Sequence, residues 1–165
     1  MSCGSLAEWN TFLSVQAGAS ATLTGLVFVA VSINLTKIME VPGLPGRAAE
    51  SILQFIEVFF ISTVALVPGQ PPRFVAIEFL VLGIIFWAFQ IAVQIRYLRV
   101  RSGQPWSWFV YRAVLSQFAA IPFCLAGLIF LLGNCDAFYW LVPGFVFSFA
   151  AGVISAWVLL VEILR

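Results

Sequence analysis

The sequence predicts an all-α, polytopic integral membrane protein built as a bundle of five antiparallel transmembrane helices. Three observations carry this. Of 165 residues, 62% are hydrophobic and only 9% are charged, against about 45–50% and about 25% in ordinary soluble domains. The mean hydropathy is +1.07, and about 102 apolar residues correspond to five spans of roughly 20 residues each. Short segments rich in proline, glycine and arginine punctuate the apolar runs at intervals that suit such spans. The whole chain, 1–165, reads as one transmembrane domain.

The first span runs over 9–38, small and polar at its start and strongly apolar from Leu23 to Val31, and ends before the turn Pro42-Gly43-Leu44-Pro45-Gly46. The second covers 48–67 and stops at Pro68-Gly69-Gln70-Pro71-Pro72, where adjacent prolines forbid helix continuation. The third covers 74–100, the fourth 108–132 and the fifth 138–164, separated by Arg101-Ser102-Gly103-Gln104-Pro105 and by Gly133-Asn134-Cys135-Asp136. Connections this short make sequential helices antiparallel neighbours. No run shows the two-residue alternation of a membrane β-barrel. The second span is the least apolar, since it holds Glu50, Gln54 and Glu57, and a four-span arrangement with this segment on the surface is the alternative.

Assigning loops to alternate sides gives one side Lys37, Arg47, Arg96, Arg99, Arg101, Arg112 and Arg165 and the other only Arg73. The positive-inside rule then sets the N-terminus outside and the C-terminus in the cytoplasm. Trp9, Tyr139 and Trp140 fall at the outer interface by this count, and Tyr97, Trp106, Trp108 and Tyr111 at the inner one. The first helix lacks the basic start and small-residue cleavage site of a signal peptide and reads as a retained anchor. The expected location is a bacterial inner membrane, with the lipid bilayer as the first partner.

The chain has no histidine, which removes the commonest metal ligand and general base. Asp136 is the only aspartate, and neither a phosphate-binding glycine loop nor a GxSxG nucleophile turn occurs. No catalytic residues, metal site or cofactor are expected, and the protein is not expected to be an enzyme. A net charge of +1 gives no basic surface for nucleic acid.

Polar residues inside the spans carry the most information. Glu50, Gln54 and Glu57 form one stripe at i, i+4 and i+7. At about 1.5 Å per residue, Glu57 lies about 15 Å from the level of Arg47, Gln90 and Gln94 about 13 and 7 Å from Arg99, and Gln117 about 14 Å from Trp108. Glu57, Gln90 and Gln117 are therefore expected in one layer, with Gln54 and Gln94 beside it, as an intramembrane polar or ion site. Hydrocarbon satisfies none of these groups, so they should face each other or a water-filled space. Pro122 adds a freed carbonyl, that of Phe118, near Gln117. Glu50 and Arg112 sit at similar depth as a candidate ion pair. Glu57 reads either as a protonatable or cation-attracting group or as a neutral, hydrogen-bonded fixture of helix packing.

Small residues form two faces: Ser14, Gly18, Thr22, Gly25 and Ser32 on the first helix, and Gly144, Ser148, Gly152 and Ser155 on the fifth. Such faces allow close helix approach, so tight packing within the chain by these two helices is expected, with a homo-oligomeric seam or hydroxyl-lined pore as the alternative. Cys3 and Cys135 map to the outer side, as a disulfide or as two free thiols, while Cys124 lies within the fourth span.

The stretch from Ala17 to Leu35, AGASATLTGLVFVAVSINL, with Leu44-Pro45-Gly46-Arg47-Ala48-Ala49-Glu50 and Val67-Pro68-Gly69-Gln70, resembles the opening of a group of small, largely uncharacterised bacterial polytopic membrane proteins, some of them labelled modulators of a membrane-bound protease. The resemblance covers roughly the first 70 residues and implies no catalytic residues. The function expected is that of an accessory, regulatory or assembly subunit acting through helix association, as a homo-oligomer or within a larger membrane complex. The alternative is a homo-oligomeric ion or proton channel using the Glu57, Gln90 and Gln117 layer.

Overall fold

The computed structural model describes residues 6–41, 43–100, 106–134 and 136–164. Cys3 and Cys135, the candidate disulfide, lie outside the described residues. All secondary structure among the described residues is helical: α1 (Leu6–Ile33), α2 (Leu35–Glu40), α3 (Leu44–Ala65), α4 (Pro72–Val100), α5 (Trp106–Leu131) and α6 (Ala137–Leu164). The five long helices are each long and apolar enough to cross a membrane.

The first span is not one helix to residue 38. At Asn34 the backbone N–H bonds to Val31 O, three residues back, and Asn34 Nδ2 caps Ala30 O at 2.9 Å, satisfying helix-terminal carbonyls and closing α1. The six-residue α2 follows, with Ile38 buried. At the next helix, the expected turn through Leu44-Pro45-Gly46 is instead the first turn of α3. Gly43 precedes it at φ +94° and Pro45 sits in that first turn, where a missing N–H costs nothing. Pro72 opens α4 in the same way, two residues before the expected start. Between α5 and α6, Gly133 at φ +86° ends the helix, with Gly133 N–H on Phe130 O and Asn134 N–H on Ile129 O, the paired bonds of a Schellman motif.

Helices α3, α4, α5 and α6 close a ring in that order, and α1 lies outside it against α3. Contacts run in opposite sense along neighbours. On α4 and α5, Leu80 meets Gly127, Gly83 meets Cys124 and Gln90 meets Ser116. On α5 and α6, Phe130 meets Phe138 and Phe118 meets Phe147. One end of the ring is filled by Val58, Ile61, Phe79, Phe123, Phe130, Leu141 and Phe145, with Leu13 of α1. Trp9 packs against Phe138 and Tyr139 there, with ring centroids 5.8 and 5.2 Å apart.

The placement of α3 overturns the alternative in which the second span lies on the surface. Its most apolar window is 56% buried, against 17% for α1. The carboxyl and amide groups of α3 require polar neighbours, and the centre of the ring supplies them.

The two small-residue faces do not meet. On α6, a Cβ added at Gly144 would lie 2.7 Å from the Phe123 ring and one at Gly152 would lie 2.5 Å from the Phe55 ring, so phenylalanines of α5 and α3 fill that face. Ser148 is fully buried in it. On α1, Leu13, Ser20 and Val27 are the buried positions. Two residues on from Gly18 and Gly25 is about 200° around a helix, so the glycine face is turned away from α3.

The closest approach lies between α4 and α5, where a Cβ at Gly127 would sit 2.5 Å from Leu80 N and 2.8 Å from its Cα. Backbone cannot yield there. Gly127→Ala is expected to force the helices apart and destabilise by about 1–3 kcal/mol, whereas Gly25→Ala, with nothing within 4 Å, should be neutral or stabilising by up to about 1 kcal/mol. Thermal melting of the two variants in one detergent checks the contrast.

Candidate functional site

The polar residues of α3 point into the ring because the stripe at 50, 54 and 57 lies on its buried face. Glu57 and Gln90 are fully buried and Gln54 nearly so. Gln90, on α4, is the hub. Its Nε2 donates to Glu57 Oε2 at 2.7 Å, and its Oε1 accepts from Gln54 Nε2 at 3.1 Å and from the hydroxyl of Ser116 on α5. Three helices are thereby joined through one amide.

Gln117 is not part of this layer. One residue is a rotation of about 100° on a helix, and Gln117 is half-buried on the flank of α5, where its Oε1 accepts from Trp87 Nε1 at 2.6 Å. Ser116 occupies the place expected of it. A spacing signal for Ser116 exists, since it stands four residues after Arg112 on the same face. Gln94 is buried one turn from Gln90, and its Nε2 has no acceptor among the described residues.

Toward the end of the ring opposite the phenylalanine core, Arg112 Nη2 donates to Glu50 Oε2 at 2.5 Å, with side-chain exposures of only 11% and 5%. The pair links α5 to α3. Arg47, in the first turn of α3, is also buried. Glu78 of α4 is half-buried, with one carboxyl oxygen lacking a donor among the described residues.

The direction of the amide bonds limits the chemistry. Gln54 donates to Gln90 and Gln90 donates to Glu57, and an amide relays a proton only by leaving its stable tautomer. Among the described residues no three His, Cys, Asp or Glu side chains gather as metal ligands, and Cys124 is a free, half-buried thiol.

The small-residue faces differ in what covers them. Ser155 of α6 lines a small cavity beside Glu50 and Arg112. Gly18, Thr22, Gly25 and Ser32 of α1 are exposed, with no atom near the built Cβ of either glycine. The hydroxyls of Thr22 and Ser32 donate to Gly18 O and Phe28 O of their own helix, both at 2.8 Å. No family model, curated protein or solved structure matches the chain.

Proposed function

We propose that the protein is a non-enzymatic, multi-pass protein of a bacterial inner membrane that serves as an assembly or accessory subunit, with α1 supplying the docking face. One observation carries this reading: the glycine face of α1 is turned away from α3 and left open. The hydroxyls of Thr22 and Ser32, already bonded to their own helix, place no unsatisfied donor beside the two glycines. Another transmembrane helix can therefore approach closely, gaining the backbone contacts that drive association in lipid. Helices α3, α4, α5 and α6 form the ring, and α1 packs on it through α3.

The orientation proposed is N-terminus outside and C-terminus cytoplasmic, from the basic residues gathered on one side. The reversal of contact order between sequential helices fits five alternating crossings. Full burial of Glu57 inside a single chain weighs against a channel formed between copies, because a pore at such a seam would not reach it.

The test is the double variant Gly18→Leu/Gly25→Leu. Both side chains would enter open space, so the fold and its melting temperature are expected to hold while association falls by about tenfold or more, equivalent to about 1.4 kcal/mol. Native mass spectrometry in mild detergents reads the assembly state. A wild-type protein that is monomeric and alone in every gentle detergent, or a variant that assembles unchanged, would overturn the reading.

A further inference from the structure

The outer flank of α5 carries the row Val110, Val114, Gln117, Ile121 and Leu128, whose steps of four, three, four and seven residues are those of a helix–helix seam. The four apolar members are 40–46% exposed, so the row faces out of the ring. Gln117 is its one polar side chain, and it stands about 12 Å along the apolar span from Phe109 and about 21 Å from Leu131. Its amide makes one bond within the chain, in which Oε1 accepts from Trp87 Nε1. An indole only donates, and this fixes the amide with Oε1 toward α4. Nε2 is left without an acceptor among the described residues and, unlike the enclosed amide nitrogen of Gln94, it reaches the surface of the chain.

We propose that this row is an interface with a second copy of the chain, in which each Gln117 Nε2 donates to the Gln117 Oε1 of the other copy. Depth selects protein over lipid as the occupant. The ester and headgroup acceptors of lipids lie outside the hydrocarbon layer, and hydrocarbon itself accepts no bond, so a donor this far along an apolar span is met only by another protein group. Self-complementarity selects a second copy. Copies inserted in one membrane share one orientation, and a two-fold axis along the membrane normal then sets identical residues at identical depth. An amide carries both donor and acceptor, and its carbonyl oxygen has two lone pairs, of which Trp87 uses one. Two reciprocal bonds therefore form without displacing either indole. Val114 and Ile121, one turn to each side of Gln117, are stiff at χ1 and have little side-chain freedom to lose on packing, and a single polar residue in an apolar seam fixes its register. Helix α5 stands across the ring from α3, on which α1 packs, so this interface is separate from the α1 face and does not rest on its docking role.

Photo-cross-linking of the full chain in its membrane tests the interface. Phe118, at the rim of the row, and Phe89 of α4 are 55% and 56% exposed. They lie at similar depth, since Gln90 meets Ser116, but Phe89 is turned about 200° from Trp87 and away from α5. Phe118→benzoylphenylalanine is expected to give a covalent dimer several-fold more abundant than Phe89→benzoylphenylalanine gives. Added to the Phe118 variant, Gln117→Leu should lower the dimer yield about tenfold, as the loss of two interhelical bonds in lipid allows. Trp87→Phe removes only the bond inside the chain and should leave the yield unchanged. Adducts of the Phe118 variant with lipid or with a different protein alone would overturn the proposal, as would a dimer indifferent to Gln117→Leu. Equal losses from Gln117→Leu and Trp87→Phe would make Gln117 an acceptor for Trp87 and nothing more, and would overturn it too.

Discussion

Arg112→Ala is expected to lower the unfolding free energy by about 3–5 kcal/mol, the usual cost of leaving one member of a buried pair without its partner. The loss falls on a carboxyl that is held largely away from solvent, since the Glu50 side chain is 5% exposed. It sits on the most buried span, so the strain falls on the helix that contacts α1, α4 and α6. The double variant Glu50→Leu/Arg112→Leu removes both charges and should recover most of the stability, because apolar replacement of a buried pair is often neutral or favourable. Unfolding by sodium dodecyl sulfate from mild detergent, followed by circular dichroism, measures both. A single variant within about 1 kcal/mol of wild type would be the value of an exposed surface pair and would contradict the burial described.

Gln90→Leu should cost about 2–4 kcal/mol. The substitution strips a donor from Glu57 and an acceptor from Gln54 and Ser116, three groups on two other helices. Each buried orphan costs about 1–3 kcal/mol in general, and interhelical hydrogen bonds in membranes average about 0.6 and reach about 1.7 kcal/mol, because the unfolded helices also find partners. The lower membrane figure sets the range. Glu57→Gln retains an oxygen to accept from Gln90 Nε2 and should change stability by less than about 1 kcal/mol. The same unfolding assay separates them. Equal losses from the two variants would mean that the carboxylate, and not the amide hub, holds the layer together.

Much of this arrangement was legible in the sequence, element by element. The five apolar runs, their punctuation by Pro68-Gly69 and Gly133-Asn134, and the stripe at 50, 54 and 57 are visible because helix spacing puts these residues on one face. Counting along the helices brings Glu50 and Arg112 to one level, and in the folded chain they form an ion pair. Depth could not separate Ser116 from Gln117, since adjacent residues differ by only about 1.5 Å along the axis but by about 100° around it. Nor could it tell that Gly144 and Gly152 receive phenylalanine rings while Gly18 and Gly25 receive nothing. The close α4–α5 approach at Gly83 and Gly127 gave no signal, because lone glycines in apolar helices look alike until a neighbour is in place. Asn34 falls within a continuous apolar run in the sequence, and its side-chain bond to Ala30 O shows only in the folded chain.

By itself, then, the sequence determined how many helices are long and apolar enough to cross a membrane, roughly where they begin and end, and how far along its helix each polar group stands. Those properties follow from composition and rise per residue, which are sums along a chain. Tertiary structure decided how each helix is rotated about its own axis. Apart from the polar stripe on α3, a helix between lipid and a protein core is apolar on both sides, so periodicity does not mark its inner face. Only contact geometry does: the hydrogen bonds of Gln90, the phenylalanine rings over α6, and a glycine face on α1 left facing outward.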